Sequence, residues 1–206
     1  MVWRSGATTK QNKLQTAVGI IHGRSLKMAH CKQNIFYLVY TSIRIKEKLK
    51  LMQLETEMLM HAARSGNTQV LEELNEVNIN QKDSNNDTAL ILATKYRQYE
   101  AVSLLLDKGA SVDETDNEGN SALLWAAFNG DVAITELLIT NKSSLDLQRE
   151  DGTTALMLAI MAGQSEIVKL LLLSGADTET CNAVGLRAAD LAQQQDNTEI
   201  LEMLGV

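Results

Sequence analysis

Residues 119–130 read Gly-Asn-Ser-Ala-Leu-Leu-Trp-Ala-Ala-Phe-Asn-Gly, and residues 152–163 read Gly-Thr-Thr-Ala-Leu-Met-Leu-Ala-Ile-Met-Ala-Gly. The second stretch follows the first by 33 residues and repeats its residue types in order. The same step links Leu90, Leu123 and Leu156; Ala93, Ala126, Ala159 and Ala192; and Leu105, Leu138, Leu171 and Leu204. Gly119, Gly152 and Gly185 form a further ladder, and Thr88, Ser121 and Thr154 place a hydroxyl at one fixed position. Ala62, Gly66 and Leu74 match Ala93, Arg97 and Leu105 at a step of 31, so the connection at 75–81 is two residues shorter. Several ladders in one register mean a supersecondary unit copied five times and stacked.

The middle unit shows the plan of each copy. Gly119 permits the positive φ of a tight turn, and Ser121 can cap a helix by accepting a backbone N–H. Ala122, Leu123, Ala126 and Ala127 make a narrow apolar face, which Gly130 ends as a C-terminal glycine does. Asp131 can cap a second helix in which Ile134, Leu137 and Leu138 recur at helical spacing. One such unit leaves an apolar side open, so stability comes from stacking on neighbours. The fold class expected is an all-α repeat solenoid.

These units resemble the ankyrin repeat, a 33-residue turn and helix pair. The family's Thr-Pro-Leu-His signature is matched by Thr88-Ala89-Leu90-Ile91, Ser121-Ala122-Leu123-Leu124 and Thr154-Ala155-Leu156-Met157. Its Gly-Ala ending is matched by Gly109-Ala110 and Gly175-Ala176. The resemblance covers residues 57–206 and implies stacked helix-turn-helix ankyrin repeats with short hairpin-like turns. Units are expected at about 55–81, 82–115, 116–148, 149–181 and 182–206, following a basic arm at 1–54. Alanine replaces proline in all three signatures, at little cost in a helix. Ile91, Leu124 and Met157 replace the histidine, so the polar network that residue makes to adjacent turns is expected to be missing. Asn86 stands where the turn glycine belongs and tolerates left-handed geometry. The last unit has lost the signature at Arg187-Ala188-Ala189-Asp190 and carries Gln193, Gln194 and Gln195, as a terminal cap should.

The resemblance further implies that turn tips and first helices line a concave surface that binds another protein. Carried onto this sequence, the tips are Ser84, Asn85 and Asp87; Asn117, Glu118 and Asn120; and Glu150, Asp151 and Thr153. The ends of the first helices add Lys95 and Tyr96, Phe128 and Asn129, and Met161 with Ala162. Aromatic side chains are over-represented among binding hot spots, which draws attention to Tyr96 and Phe128. Phe128 has two readings of equal weight, a docking side chain or one folded back on a neighbouring helix; Trp125 reads as packing. The tips are acidic, so a protein partner with a basic patch is expected, with the chain itself a monomer.

Composition agrees with thin helical layers: hydrophobic residues make up 45% of the chain, yet aromatics only 4%. Charge is split sharply. Residues 1–54 hold ten Lys/Arg against the single acid Glu47, while 55–206 hold nine against 25 acids. Phosphate binding needs Lys and Arg, so nucleic acid or an anionic membrane is expected to engage the arm if anything. Residues 41–54 mix apolar and basic side chains; capping the first repeat and touching a membrane or nucleic acid are the two readings of a helix there. Residues 1–34 are acid-free and rich in Ser, Thr, Gln, Asn and Lys, the character of a disordered arm or of an organelle transit peptide. A start at Met52 or Met58 is an alternative to both. The stretch 35–40 is far shorter than the roughly 20 apolar residues a membrane span requires, and a cytoplasmic location is expected.

Chemistry-bearing constellations are sparse. His22, His30 and Cys31 lie close in sequence but make a weak metal set, and Cys31 and Cys181 are too far apart for a paired motif. His61 reads as a surface or packing residue. The glycines recur with the turns and precede no Gly-Lys-Ser/Thr. Asp113-Glu114 and Glu150-Asp151 read as solvated turn charge. No cofactor, metal or catalytic group is expected, and the chain reads as non-enzymatic.

Overall fold

A computed structural model describes residues 32–74 and 77–205. Among these, ten helices follow in order: α1 Lys32–Ser65, α2 Thr68–Glu73, α3 Ala89–Lys95, α4 Tyr99–Asp107, α5 Ala122–Asn129, α6 Val132–Thr140, α7 Ala155–Met161, α8 Ser165–Leu173, α9 Ala188–Gln194 and α10 Thr198–Leu204. The chain divides into two compact units, Met1–Leu51 and Met52–Val206. The division falls within α1, as does the step from arm to body drawn at 54/55 from charge. The readings placed on residues 1–31, including the His22, His30 and Cys31 set and the transit peptide, lie outside the described residues.

From Met52 onward, five helix pairs follow the ladders: the end of α1 with α2, α3 with α4, α5 with α6, α7 with α8, and α9 with α10. Small residues permit close packing of the first helices. Ala62, Ala93, Ala126, Ala159 and Ala192 are all essentially inaccessible, and Leu90, Leu123 and Leu156 beside them are at most 1% exposed. Each such leucine is worth about 1.5–3 kcal/mol on burial, and its partner surface comes from the next unit. The caps are those the sequence specifies: Thr88, Ser121 and Thr154 accept the N–H of Ile91, Leu124 and Met157. Asp131 Oδ1 accepts from Ile134, and Gly130 ends α5 at φ 74°.

The turns are tight loops closed by two backbone bonds each: Asn86, Gly119, Gly152 and Gly185 donate to the carbonyls of Asp83, Asp116, Arg149 and Asn182. The N–H of Asp83, Asp116, Arg149 and Asn182 donates to the carbonyl four residues on, at 2.9–3.1 Å. Adjacent turns are then stitched by backbone bonds, Asn117 N–H to Asn85 O, Glu150 N–H to Glu118 O, and Ala183 N–H to Asp151 O, with Lys82 Nζ and Gln148 Nε2 donating to the carbonyls of Thr115 and Cys181. With Ile91, Leu124 and Met157 buried as apolar groups, this ladder keeps successive turns in register without a histidine.

A second stitch runs along the other end of the units. Asn80 accepts from the Ser111 N–H at 2.8 Å, Asp113 from Ser144 at 2.9 Å, and Asp146 from Asp177 at 2.8 Å. Asp113 is therefore an acceptor between repeats, a role beyond the solvated turn charge read from its sequence. Upstream, α1 runs through 41–54, where Ile43, Leu49, Leu51 and Leu54 are at least half exposed. No described helix is long and apolar enough to cross a membrane.

Candidate functional site

The first helices end along one edge of the stack, and their last residues stand at equivalent positions. Phe128 and Met161 lie 33 apart, with Tyr96 one residue beyond the matching Lys95. All three are apolar and about half exposed, at 53%, 52% and 51%. The two aromatic side chains are held rather than loose. The Phe128 ring meets Trp125 edge-on at 6.2 Å between centroids, and the Arg64 guanidinium stands 5.5 Å from the Tyr96 ring centroid. Thus Phe128 touches its neighbour and still exposes half its surface, so both sequence readings hold part of the geometry.

Beneath this row lies a charged cluster that joins two repeats. Lys95 Nζ lies 2.6 Å from Asp87 Oδ1 and 3.2 Å from Asp116 Oδ2, with both carboxylates nearly buried. The same ammonium sits 4.6 Å from the centre of the Trp125 ring, a cation–π distance. Trp125 Nε1–H donates to Asp116 Oδ2 at 3.0 Å, so Trp125 is a polar partner as well as a packing group. Asp116 Oδ1 also accepts from the N–H of Glu118 and of Asn120.

Burial would raise the Asp116 carboxyl, but hydrogen bonds from Trp125, Asn120 and Glu118 outweigh it and hold the group below its ordinary 3.8. Asp87 goes the other way. Burial raises it, Asp83 and Asp116 add to the rise, and Lys95 offsets only part.

The fourteen residues taken from the sequence as partner-binding therefore fall into three groups. Ser84, Asn85, Asn117, Glu118, Glu150, Asp151, Tyr96, Phe128 and Met161 are exposed. Asp87, Asn120 and Thr153 are buried, at 3%, 4% and 5%. Their positions fall at the turn's return to the helix, so they shape the tip from inside and do not present it. Lys95 and Asn129 are half-buried and bind the scaffold: Asn129 Nδ2 donates to the carbonyls of Thr94 and Lys95 in the preceding unit. Asp116 and Arg64 were missed. Asp83, Asp116 and Asn182 form their own 33-residue ladder of side chains that accept from the turn, a signal present in the sequence. Arg64 over Tyr96 has no such signature, because it depends on where the end of α1 stands. Tip charge is mainly acidic, from Glu118, Glu150 and Asp151, with Arg149 Nε 3.1 Å from Asp151.

The architecture is that of a helical repeat array whose turns and first helices project residues along one edge. The family described as "Ankyrin repeats (3 copies)" matches the chain at residues 28–116, 59–148 and 123–205. The chain belongs to the ankyrin-repeat family. Ankyrin repeats are in general protein–protein interaction modules and typically non-catalytic. No curated protein matches the chain.

Proposed function

We propose that this protein is a non-enzymatic interaction module, an adaptor, scaffold or inhibitor, that docks a protein partner on the surface formed by the turn tips and first helices. The observation that carries this reading is the row of Tyr96, Phe128 and Met161, three large apolar side chains half exposed at successive units. Scattered exposed apolar residues are ordinary, but grouped ones mark interaction sites. The aromatic pair is also pre-ordered by Trp125 and Arg64, which lowers the entropy lost on binding. Glu118, Glu150 and Asp151, exposed at the turn tips, favour a partner with a basic patch, acting on association rate and partner choice more than on tightness.

The test uses the full chain as bait for affinity capture from its native source, read by mass spectrometry, beside the Tyr96→Ala/Phe128→Ala variant. A partner held by the row is lost from the variant, with binding weaker by roughly thirtyfold or more if both are hot spots, while thermal unfolding stays nearly unchanged. A partner retained in full by the variant sinks the assignment of the row.

A further inference from the structure

On the reading that Tyr96, Phe128 and Met161 form a docking row, we infer that its occupant is one amphipathic α-helix, apolar at every seventh residue and basic along one flank. The first helices α3, α5 and α7 pack on one another in succession, and fully buried Ala93, Ala126 and Ala159 let them close up. Helices so packed lie about 8–10 Å apart, which sets the step from each row residue to the next. A partner must offer apolar side chains to one side at that step. An extended strand repeats a face about every 6.7 Å, and its next repeat at about 13 Å overshoots. Seven residues of α-helix rise about 10.5 Å and return to within about 20° of the starting direction. The heptad meets successive anchors where the strand does not.

The row is also finite. The position of Lys95, Phe128 and Met161 is held by Arg64 one unit earlier and by Gln194 one unit later, both exposed and polar. In the second unit Lys95 is engaged by Asp87 and Asp116, and Tyr96 takes the outward place. Three anchors span two steps, so the helix in contact is about 15 residues, or four turns, long. Charge chooses its basic flank. Exposed Glu118, Glu150 and Asp151 stand in the turns that precede α5 and α7, the helices that Phe128 and Met161 end. At eight residues, α5 is about 12 Å long, close to the width of a helix with its side chains. A helix laid on the row thus turns one flank toward these tips, where Lys or Arg complements them. Ser84 and Asn85 at the second unit's tip carry no charge, so the basic residues belong beside the Phe128 and Met161 anchors.

The experiment pans a displayed library of random peptides, each about 18 residues long, on the full chain, with counter-selection on Tyr96→Ala/Phe128→Ala. The discriminating sequences should carry Leu, Ile, Met or Phe at i, i+7 and i+14, with Lys or Arg on one flank. The leading peptide, isotope-labelled, should take helical chemical shifts when bound. Glu118→Gln/Glu150→Gln should slow its association about tenfold at low salt and change its dissociation little. Both substitutions keep an acceptor oxygen at exposed positions, so thermal unfolding should not change. Discriminating sequences that place apolar residues at every second position overturn the helix and leave the docking row standing. If no sequence discriminates the chain from its variant, the row and the helix fall together. Acid-flanked binders, or an unchanged association rate in the glutamate variant, overturn the basic flank.

Discussion

Asp116 carries more of the scaffold than any other single side chain near the docking row. It closes its own turn, accepts from Trp125 and shares Lys95 with the preceding unit's Asp87. Asp116→Ala should cost about 2–4 kcal/mol in urea unfolding, since it leaves the Trp125 Nε1–H and two turn N–H groups without their acceptor and takes one of two carboxylates from Lys95. Its lowered carboxyl value has a definite sign. Its stability contribution is present above 3.8 and fades as pH falls through the lower folded value. Unfolding free energy should therefore drop below pH 3.8, and Asp116→Asn should flatten that drop. Asp87, with a raised value, works oppositely: its contribution is lost as pH rises above 3.8.

Arg149 is the exception on the same ladder. It occupies the place of Asp83, Asp116 and Asn182 but has no acceptor to offer the turn, and its Nε is buried without a hydrogen bond. Its ion pair with the half-exposed Asp151 contributes little. Arg149→Asn should raise stability by about 0.5–1.5 kcal/mol, a gain that a urea midpoint will show.

Among the elements, the stacked turns are the least tolerant of added bulk. A Cβ at Gly152 (φ 76°) would stand 2.8 Å from the Ala183 nitrogen, the atom that bonds Asp151 O across the turns. At Gly185 (φ 82°) it would meet nothing within 4 Å. Gly185→Ala should cost about 1 kcal/mol of backbone strain, and Gly152→Ala about 2 kcal/mol more; thermal denaturation of the two variants compares them directly. The glycine ladder was plain in the sequence, but this inequality was not, because it depends on a neighbour 31 residues away. The caps and the alanine faces were legible in full, since each depends on residues within one turn of helix. Interior placement of Asp87, Asn120 and Thr153 was not legible: a polar residue in a turn looks the same whether it faces water or its own backbone.

For the whole molecule, stability should follow the rule of a one-dimensional array, in which each unit contacts only its neighbours. Leu123 is fully buried in the central unit and Ile200 in the last. Leu123→Ala should lower the stability of the whole array by about 3–5 kcal/mol. Ile200→Ala should release mainly α9 and α10, with hydrogen exchange protection kept in α3 to α8. Uniform loss of protection in the second variant would mean the array folds as one indivisible body. The order of units came from period alone, which needs no tertiary knowledge. The exposure of α1 between Tyr40 and Leu54 was beyond reach of the sequence, because mixed apolar and basic residues suit a buried cap and a bare helix alike.

The Lys95 bridge bears on a hazard particular to chains made of copies. Units of one pattern can pair with the wrong neighbour during folding. Lysine occupies its position once: the matching residues in the next two units are Phe128 and Met161. If α3 skipped a unit and met the turn at 149–153, its ammonium would face the Arg149 guanidinium where Asp116 belongs, with no carboxylate from that ladder position. A like-charge encounter there, in place of an ion pair, disfavours the slipped pairing. The Lys95 bridge to Asp116 therefore favours the order in which the second unit precedes the third.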